Sequence, residues 1–115
     1  ELALQRAERR GIAREKLLVD PGIGFGKTAE HNLVLLQRAA DLRLLGAPVL
    51  VGVSRKGFLG ALTGRAAPAE RVVASAAVAA ILAAEGAVDM VRVHDVAETR
   101  DALAVADAIR LARER

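Results

Sequence analysis

Between residues 17 and 28 the chain reads Leu17-Leu18-Val19-Asp20-Pro21-Gly22-Ile23-Gly24-Phe25-Gly26-Lys27-Thr28. A short apolar run that ends in a glycine-rich loop is typical of a buried strand in a parallel sheet covered on both faces. The loop is neither a Walker A motif, which needs a glycine at Pro21, nor a dinucleotide-binding fingerprint, which needs one at Lys27. Asp20 is therefore the informative residue, because α/β folds bind ligands at the carboxyl ends of their strands.

Two further strands follow along the chain. Residues 48–53 are rich in β-branched side chains and lead into a polar cluster, Ser54-Arg55-Lys56-Gly57. Residues 88–93 form a third apolar run. Helical patterns separate the three strands, and this alternation predicts right-handed βαβ units and a parallel sheet. We therefore expect a single α/β segment over residues 1–115, with no internal repeat or linker.

Four helices are predicted around these strands. The first, over residues 1–10, ends at Gly11, and the last begins at Asp95. The second covers residues 28–45. The third, over residues 68–85, is apolar nearly all round and is therefore expected to be largely buried. A short turn of helix is expected after the polar cluster, at residues 58–62. The second and last helices carry apolar stripes at Leu33, Leu36, Ala40 and Leu44, and at Ala102, Val105, Ala106 and Ile109.

The composition narrows the class of partner. The net charge is +3, with 17 basic residues scattered among 14 acidic ones, and the aromatic residues are two phenylalanines. Because unpaired bases stack on aromatic side chains, we expect no nucleic-acid partner. The longest nearly apolar run, residues 72–84, is shorter than the roughly 20 residues that span a bilayer, so we expect no membrane partner. Cysteine is absent, which fits a reducing compartment, and we expect a cytoplasmic protein.

Polar side chains collect where the strands end. Residues two apart on an extended chain point to the same side. Alternate positions along the second strand and the loop after it therefore share one face, and alternate positions along the third strand and its end share another. These positions, with the carboxylate after the first strand, are Asp20, Gly52, Ser54, Lys56, Met90, Arg92 and His94. Each polar residue taken alone would more often form a structural ion pair or hydrogen bond than bind a ligand. Their convergence at one edge of the sheet favours a ligand site.

Metal binding has little support in this segment. His31 and His94 lie on different predicted elements, and no close spacing of His, Asp and Glu repeats a known ligand pattern. We interpret His31, which follows Glu30 in the first turn of a helix, as a solvated surface histidine. No complete metal site is therefore expected here.

Three motifs resemble those of the dihydropteroate synthases. Residues 20–27 are similar to the motif at the sixth strand of that family, and the other two motifs are similar to those at the seventh and eighth strands. The latter two read Gly52-Val53-Ser54-Arg55-Lys56-Gly57-Phe58-Leu59-Gly60 and Arg92-Val93-His94-Asp95-Val96. Gly57 is a departure, since many members carry a serine there. The resemblance covers nearly the whole chain and implies the C-terminal part of a TIM-type (β/α)8 barrel, strands six to eight with their helices.

The resemblance implies a transferase of folate biosynthesis. Its reaction condenses 6-hydroxymethyl-7,8-dihydropterin diphosphate with p-aminobenzoate to give dihydropteroate and pyrophosphate. Asp20 would accept hydrogen bonds from the amino and ring N–H groups of the pterin, and Lys56 would donate to its carbonyl and ring nitrogen. Arg92 would lie over the pterin plane, and Arg92 and His94 would face the diphosphate as it gains charge. In the family this step leaves a pterin cation that the aniline nitrogen captures.

The resemblance also implies roles at the second substrate. Ser54 would bind the carboxylate of p-aminobenzoate, and Phe25 would pack against its ring. The residues expected to bind substrates are then Asp20, Gly24, Phe25, Gly52, Ser54, Lys56, Arg92 and His94. Among these, Lys56, Arg92 and His94 are expected to be catalytic.

Other parts of such an enzyme are expected outside residues 1–115. The resemblance implies a magnesium ion whose ligands come from the first four strands, and a homodimer for the full-length protein. We expect the segment alone to be inactive and to self-associate, because three strands cannot close a barrel and leave unpaired edges. Two alternatives stay open: a pterin-binding methyltransferase domain, against which the motif at residues 54–56 argues, and a non-catalytic remnant of a barrel.

Overall fold

The computed structural model describes residues 2–26 and 28–113. Within these ranges, five α-helices and two short β-strands follow one another in the order α1, α2, β1, α3, α4, β2, α5. Their bounds are α1 Leu2–Arg9, α2 Ala29–Gln37, β1 Leu50–Val51, α3 Gly57–Thr63, α4 Val72–Ala84, β2 Met90–Val91 and α5 Val96–Arg113. Turns of 3-10 helix lie at Arg14–Lys16, Ala39–Leu45 and Pro68–Arg71. The chain is mostly helical and of the α/β class, as the sequence predicts.

A small parallel sheet lies at the centre. Strands β1 and β2 pair in parallel, with Leu50 opposite Met90 and Val51 opposite Val91. Val19 joins the other side of β1 through a parallel bridge to Val49. The three predicted strand segments therefore lie side by side with β1 in the middle, and all three run in the same direction.

The strands are shorter than the apolar runs that predict them. Before β1, Asp89 Oδ2 accepts a hydrogen bond from Val49 N at 2.8 Å, and Arg43 Nη2 lies 3.0 Å from the other carboxylate oxygen. After β1, the carbonyl of Val53 accepts a hydrogen bond from Lys56 N at 3.0 Å, so the chain turns there. Side-chain and turn hydrogen bonds thus satisfy backbone groups that a longer strand ladder would otherwise satisfy.

The second predicted helix divides into two parts. Thr28 caps α2, since its hydroxyl accepts a hydrogen bond from His31 N at 3.1 Å. After α2 the chain continues as the 3-10 turn Ala39–Leu45, which ends at Gly46 with a φ of 76°. Only a residue that tolerates this left-handed backbone ends a helix in this way without strain.

The burial of helix residues differs from the sequence prediction on the second, third and last predicted helices. The apolar helix residues expected inside but found exposed are Leu33, Ala40, Leu44, Ala69, Val73, Ala77, Ile81, Val105 and Ile109. Asn32 is buried in their place on α2, and Ala106 is the buried member of the stripe on α5. The stripes are therefore only partly correct, and α4 is not buried all round. A helix buries only the faces that neighbouring elements cover, and within this segment α4 and α5 mainly cover each other.

The hydrophobic core lies between the sheet, α3 and α4. Its buried members are Ile23, Ala39, Val49, Val51, Val53, Phe58, Leu59, Leu82 and Ala87. This core fixes the start of the Asp20 loop and the end of β1, which positions the polar strand ends described next.

Among the described residues, we find no single helix long and apolar enough to cross a membrane. One pair of consecutive helical segments is together long and apolar enough to cross, but the two segments are bent by 74° relative to each other. These segments are Gly57–Thr63 and Pro68–Ala84.

Candidate functional site

The candidate site lies where Val19, β1 and β2 end. Asp20 directly follows Val19, residues 54–56 follow β1 within a turn, and residues 92–94 follow β2. Because the three strand segments are parallel, their carboxyl ends meet at one edge of the sheet. The polar residues singled out in the sequence make three contacts at this edge.

The first contact joins Asp20 to Arg92. Arg92 Nη1 donates to Asp20 Oδ2 at 3.3 Å across 72 residues of sequence. Gly52 makes room for this arrangement, since a Cβ atom built on Gly52 would lie 2.8 Å from Arg92 Cζ, well inside van der Waals contact. Gly52 therefore serves as the surface over which the guanidinium crosses from β2 to the Asp20 loop.

The second contact brings Lys56 onto the glycine-rich loop. Its ammonium group donates to the carbonyl of Ile23 and lies 4.4 Å from the centroid of the Phe25 ring. This distance is suited to a cation–π interaction. A Cβ atom on Gly24 would lie 2.8 Å from Lys56 Cδ, and Gly24 has a φ of 87°, so both backbone and space favour glycine there. Phe25 is 67% exposed, so a ligand bound at this edge could contact its ring.

The third contact joins Ser54 to His94. Ser54 Oγ accepts a hydrogen bond from His94 N at 3.0 Å and lies 2.8 Å from His94 Nδ1. Ser54 is buried. This hydroxyl is predicted from the family resemblance to bind a substrate carboxylate, and in the structure its partner is His94.

The five predicted polar residues thus reach one edge of the sheet through pairwise contacts. The edge combines a carboxylate, an ammonium group, a guanidinium group, an imidazole and an exposed phenyl ring. Such a set can bind a flat heterocycle with several N–H donors and, at the same time, an anionic group.

Sequence reasoning missed the residues that hold this edge in shape. Asn32 is buried and its Oδ1 atom accepts a hydrogen bond from Gly24 N at 2.8 Å. Arg55 forms a two-pronged ion pair with Asp95 and has a φ of 57°. In the sequence, Asn32 looks like an ordinary polar residue of a helix surface, and Arg55 looks like a surface arginine beside a lysine. Of these residues, only Asp95 had a sequence signal, because it stands at the capping position of the last predicted helix.

Ionisation supports the reading of Arg55 and Asp95 as a charged pair. The hydrogen bond from Arg55 holds the pKa of Asp95 below its ordinary value, against the opposing effect of partial burial. The same contact raises the pKa of Arg55. At the other end of the strands, the hydrogen bond from Val49 N chiefly lowers the pKa of Asp89.

Two other features do not coincide with this edge. A cavity of about 800 Å³ lies at the opposite end of the strands, between the end of α4 and the second half of α5, with Arg43, Gly86, Asp89 and Arg110 in its wall. Over residues 2–26 and 28–113, no three His, Asp or Glu side chains are grouped so that they could hold a metal ion. His31 is exposed on α2, and His94 follows β2.

Comparison with known proteins identifies the class. The family model described as pterin binding enzyme matches residues 1–94, and the chain belongs to this family. It is 48% identical over 111 residues to the dihydropteroate synthase of Escherichia coli strain K12, which covers 96% of this chain and 39% of the relative. The chain therefore spans about two fifths of the length of that curated relative.

Solved structures agree with this assignment. A dihydropteroate synthase from Yersinia pestis superposes with a TM-score of 0.90 at 42% identity, over 96% of this chain and 51% of that one. The dihydropteroate synthase of Xanthomonas albilineans in complex with 7,8-dihydropteroate gives a TM-score of 0.88 at 48% identity, over 93% of this chain and 40% of that one. The resemblance to dihydropteroate synthases is confirmed.

Proposed function

We propose that the full-length polypeptide containing residues 1–115 is a dihydropteroate synthase. It would condense 6-hydroxymethyl-7,8-dihydropterin diphosphate with p-aminobenzoate to dihydropteroate and pyrophosphate, as a transferase of folate biosynthesis. The observation that carries the proposal is at the ends of three parallel strands, where Arg92 contacts Asp20 and Lys56 contacts the loop that follows Asp20. Similar proteins support it, since the dihydropteroate synthase of Xanthomonas albilineans was solved with 7,8-dihydropteroate and with 4-aminobenzoic acid.

The pterin ring is proposed to bind along the Asp20 loop. Asp20 would accept hydrogen bonds from the amino and ring N–H groups on one edge of the ring, because two carboxylate oxygens match two parallel donors. Lys56, already held over this loop by the carbonyl of Ile23, would donate to the pterin carbonyl and ring nitrogen. Gly24 and Gly52 would contribute by leaving room for the Lys56 and Arg92 side chains that contact the ring.

Arg92 has two proposed tasks. Its guanidinium is 3.3 Å from Asp20 and lies next to Gly52, and we propose that it covers the pterin plane while its outer edge reaches the diphosphate. Arg92 and His94 would then stabilise the leaving group. Cations placed in advance at this point lower the barrier more than they strengthen substrate binding, because the charge develops in the transition state.

The proposed chemistry balances without a redox partner. The methylene C–O bond of the dihydropterin diphosphate breaks and its electron pair leaves with pyrophosphate. The lone pair of the aniline nitrogen of p-aminobenzoate then forms the new C–N bond, and that nitrogen loses one proton. The chain's own contribution is to orient the pterin through Asp20 and Lys56 and to stabilise the departing anion.

The second substrate is proposed to lie between Phe25 and Ser54. Phe25 is exposed enough to pack against the aromatic ring of p-aminobenzoate. Ser54 would donate its hydroxyl proton to the carboxylate. It can do so while it accepts hydrogen bonds from His94 N and from a protonated Nδ1, because a hydroxyl has one donor and two acceptor sites.

The rest of the enzyme is proposed to come from outside this chain. Residues 1–115 would be one segment of a pterin-binding (β/α)8 barrel, supplying strands six to eight with their helices. Magnesium would be held by residues of the first four strands, and the described residues offer no group of His, Asp or Glu side chains for it. A cytoplasmic location, a homodimeric full-length protein, and no membrane or nucleic-acid partner complete the proposal.

The test is p-aminobenzoate-dependent release of pyrophosphate. We expect turnover by the full-length polypeptide, none by residues 1–115 alone, and at least a hundredfold loss on Lys56→Ala, since an interaction made in the transition state is removed. A full-length polypeptide that binds pterins but releases no pyrophosphate with both substrates and magnesium would instead favour a methyltransferase-type domain. One that binds neither substrate would favour a barrel remnant.

A further inference from the structure

We infer that Arg55 is a positioning residue, paired with Asp95, that sets the directions of Lys56 and His94. The inference rests on the proposed function and concerns the residue that the motif places between Ser54 and Lys56. Arg55 itself need not touch a substrate, because its guanidinium is already engaged by a carboxylate. The backbone conformation of Arg55, its two backbone hydrogen bonds and its ion pair with Asp95 support this assignment.

The backbone of Arg55 is in a conformation that its side chain disfavours. Its φ is 57°, and it is the one non-glycine residue with a positive φ among residues 2–26 and 28–113. A residue other than glycine holds such a conformation only where its surroundings fix it. Strained backbone of this kind concentrates at functional sites, and here it lies directly before the lysine of the site.

The surroundings fix both backbone groups of Arg55. Its N–H donates to Ser75 Oγ at 2.7 Å, and its carbonyl accepts a hydrogen bond from Arg71 Nη1 at 2.9 Å. Ser75 is buried and its hydroxyl donates in turn to the carbonyl of Arg71 at 2.7 Å. The turn after β1 is thus tied to the start of α4 on two sides.

The side chain of Arg55 supplies the remaining ties. Its Nη2 and Nε atoms lie 2.6 and 3.0 Å from the two carboxylate oxygens of Asp95. The Asp95 side chain is only 13% exposed. The backbone carbonyl of Asp95 accepts hydrogen bonds from Thr99 N at 3.0 Å and from Thr99 Oγ1 at 2.7 Å. The ion pair therefore joins the turn after β1 to the first turn of α5.

The consequence for the site follows from adjacency in sequence. Arg55 precedes Lys56, and Asp95 follows His94, so a single ion pair fixes the backbone beside two proposed catalytic residues. The Ser54 contact with His94 runs beside it and joins the same two loops. Two contacts thus link the two loops: Ser54 with His94, and Arg55 with Asp95. Together they hold Lys56 and His94 at one edge of the sheet.

The chain provides a matched control at the opposite end of the same strands. Arg43 Nη2 lies 3.0 Å from Asp89, and Asp89 also accepts the hydrogen bond from Val49 N. This pair likewise joins the chain before β1 to the chain before β2, but it lies away from Lys56 and His94. A purely structural role for Arg55 would make Arg55→Ala behave like Arg43→Ala.

The experiment compares Arg55→Ala, Asp95→Asn, their double variant and Arg43→Ala in the full-length polypeptide. We expect the first two each to lower kcat about a hundredfold, because misplacing a positioned group by about 1 Å costs this much, with KM changed far less. The double variant should be no worse than either single one, and Arg55→Lys should recover part of the loss. Arg43→Ala should lower the melting temperature comparably and leave kcat unchanged.

A second readout is independent of turnover. The imidazole ring signals of His94 in a nuclear magnetic resonance spectrum, assigned with His94→Gln, should shift in Arg55→Ala and Asp95→Asn and stay in place in Arg43→Ala. If the wild type releases no pyrophosphate but these shifts occur, the proposed function fails and the positioning role stands. The positioning role is overturned if the His94 signals do not move, if Arg55→Ala raises only KM while Asp95→Asn is silent, or if Arg43→Ala loses the same activity.

Discussion

Replacing Gly52 by alanine tests whether the position of Arg92 matters for catalysis. The new Cβ atom would lie 2.8 Å from Arg92 Cζ and 2.9 Å from its Nε, where ordinary contact begins at 3.4 Å. The guanidinium must therefore move by more than about half an ångström, which breaks or lengthens its 3.3 Å contact with Asp20. The backbone of Gly52 has no positive φ, so alanine introduces no backbone strain there.

The expected effects on activity and on stability differ in size. A displaced group at the reacting centre costs up to about a hundredfold in rate. The Arg92 side chain is 56% exposed, and an exposed ion pair contributes no more than about 1 kcal/mol to stability. We therefore expect Gly52→Ala to lower kcat/KM between about ten- and a hundredfold while the melting temperature stays nearly constant.

The assay is p-aminobenzoate-dependent pyrophosphate release by the full-length polypeptide, with Gly57→Ala as the control. A Cβ atom on Gly57 meets nothing within 4 Å and its φ is not positive, so this substitution should leave the rate unchanged. Wild-type activity in Gly52→Ala would refute the argument that the guanidinium must lie against this glycine.

Three further predictions concern stability and association. Asn32→Leu should lower the free energy of unfolding by about 1 kcal/mol in a urea titration, because the part-buried hydrogen bond from Gly24 N to Asn32 Oδ1 is lost; an unchanged unfolding midpoint would contradict this. The pKa of Asp89 is lowered in the folded state, chiefly because Val49 N donates a hydrogen bond to its carboxylate. Asp89 therefore contributes stability that is present at neutral pH and is lost as the pH falls through this lowered pKa. Asp89→Asn should therefore flatten the acid limb of the stability curve, and an unaltered limb would argue against the contact. Residues 1–115 alone should sediment as self-associated species, since the two-stranded sheet is open and Met90, Val105 and Ile109 are exposed; a monodisperse monomer would contradict this.

The sequence predicted the parts of the fold that depend on local pattern. Glycine and capping residues marked the ends of α1 and the start of α5, and β-branched runs marked the parallel strands. The strands are parallel and their carboxyl ends share an edge, where Arg92 contacts Asp20 and Lys56 reaches the loop after Asp20. Their roles with substrates stay a prediction.

The remaining features depend on contacts that a pattern does not contain. The positive φ of Arg55 is fixed by Ser75 and Arg71, 20 and 16 residues away, and no local signal announces it. The burial of Asn32 follows from its hydrogen bond to Gly24. The exposed residues on α4 and α5 were misjudged because helix periodicity shows that a face is apolar but not which element covers it.

Incorporation of nitrogen-15 from labelled p-aminobenzoate tests the central claim most directly. The full-length polypeptide, given dihydropterin diphosphate and magnesium, should form labelled dihydropteroate in a one-to-one ratio with pyrophosphate, and Lys56→Ala should suppress both. Pyrophosphate released without the label entering a pterin product would show hydrolysis rather than condensation, and it would contradict the assignment of these strand ends to a dihydropteroate synthase.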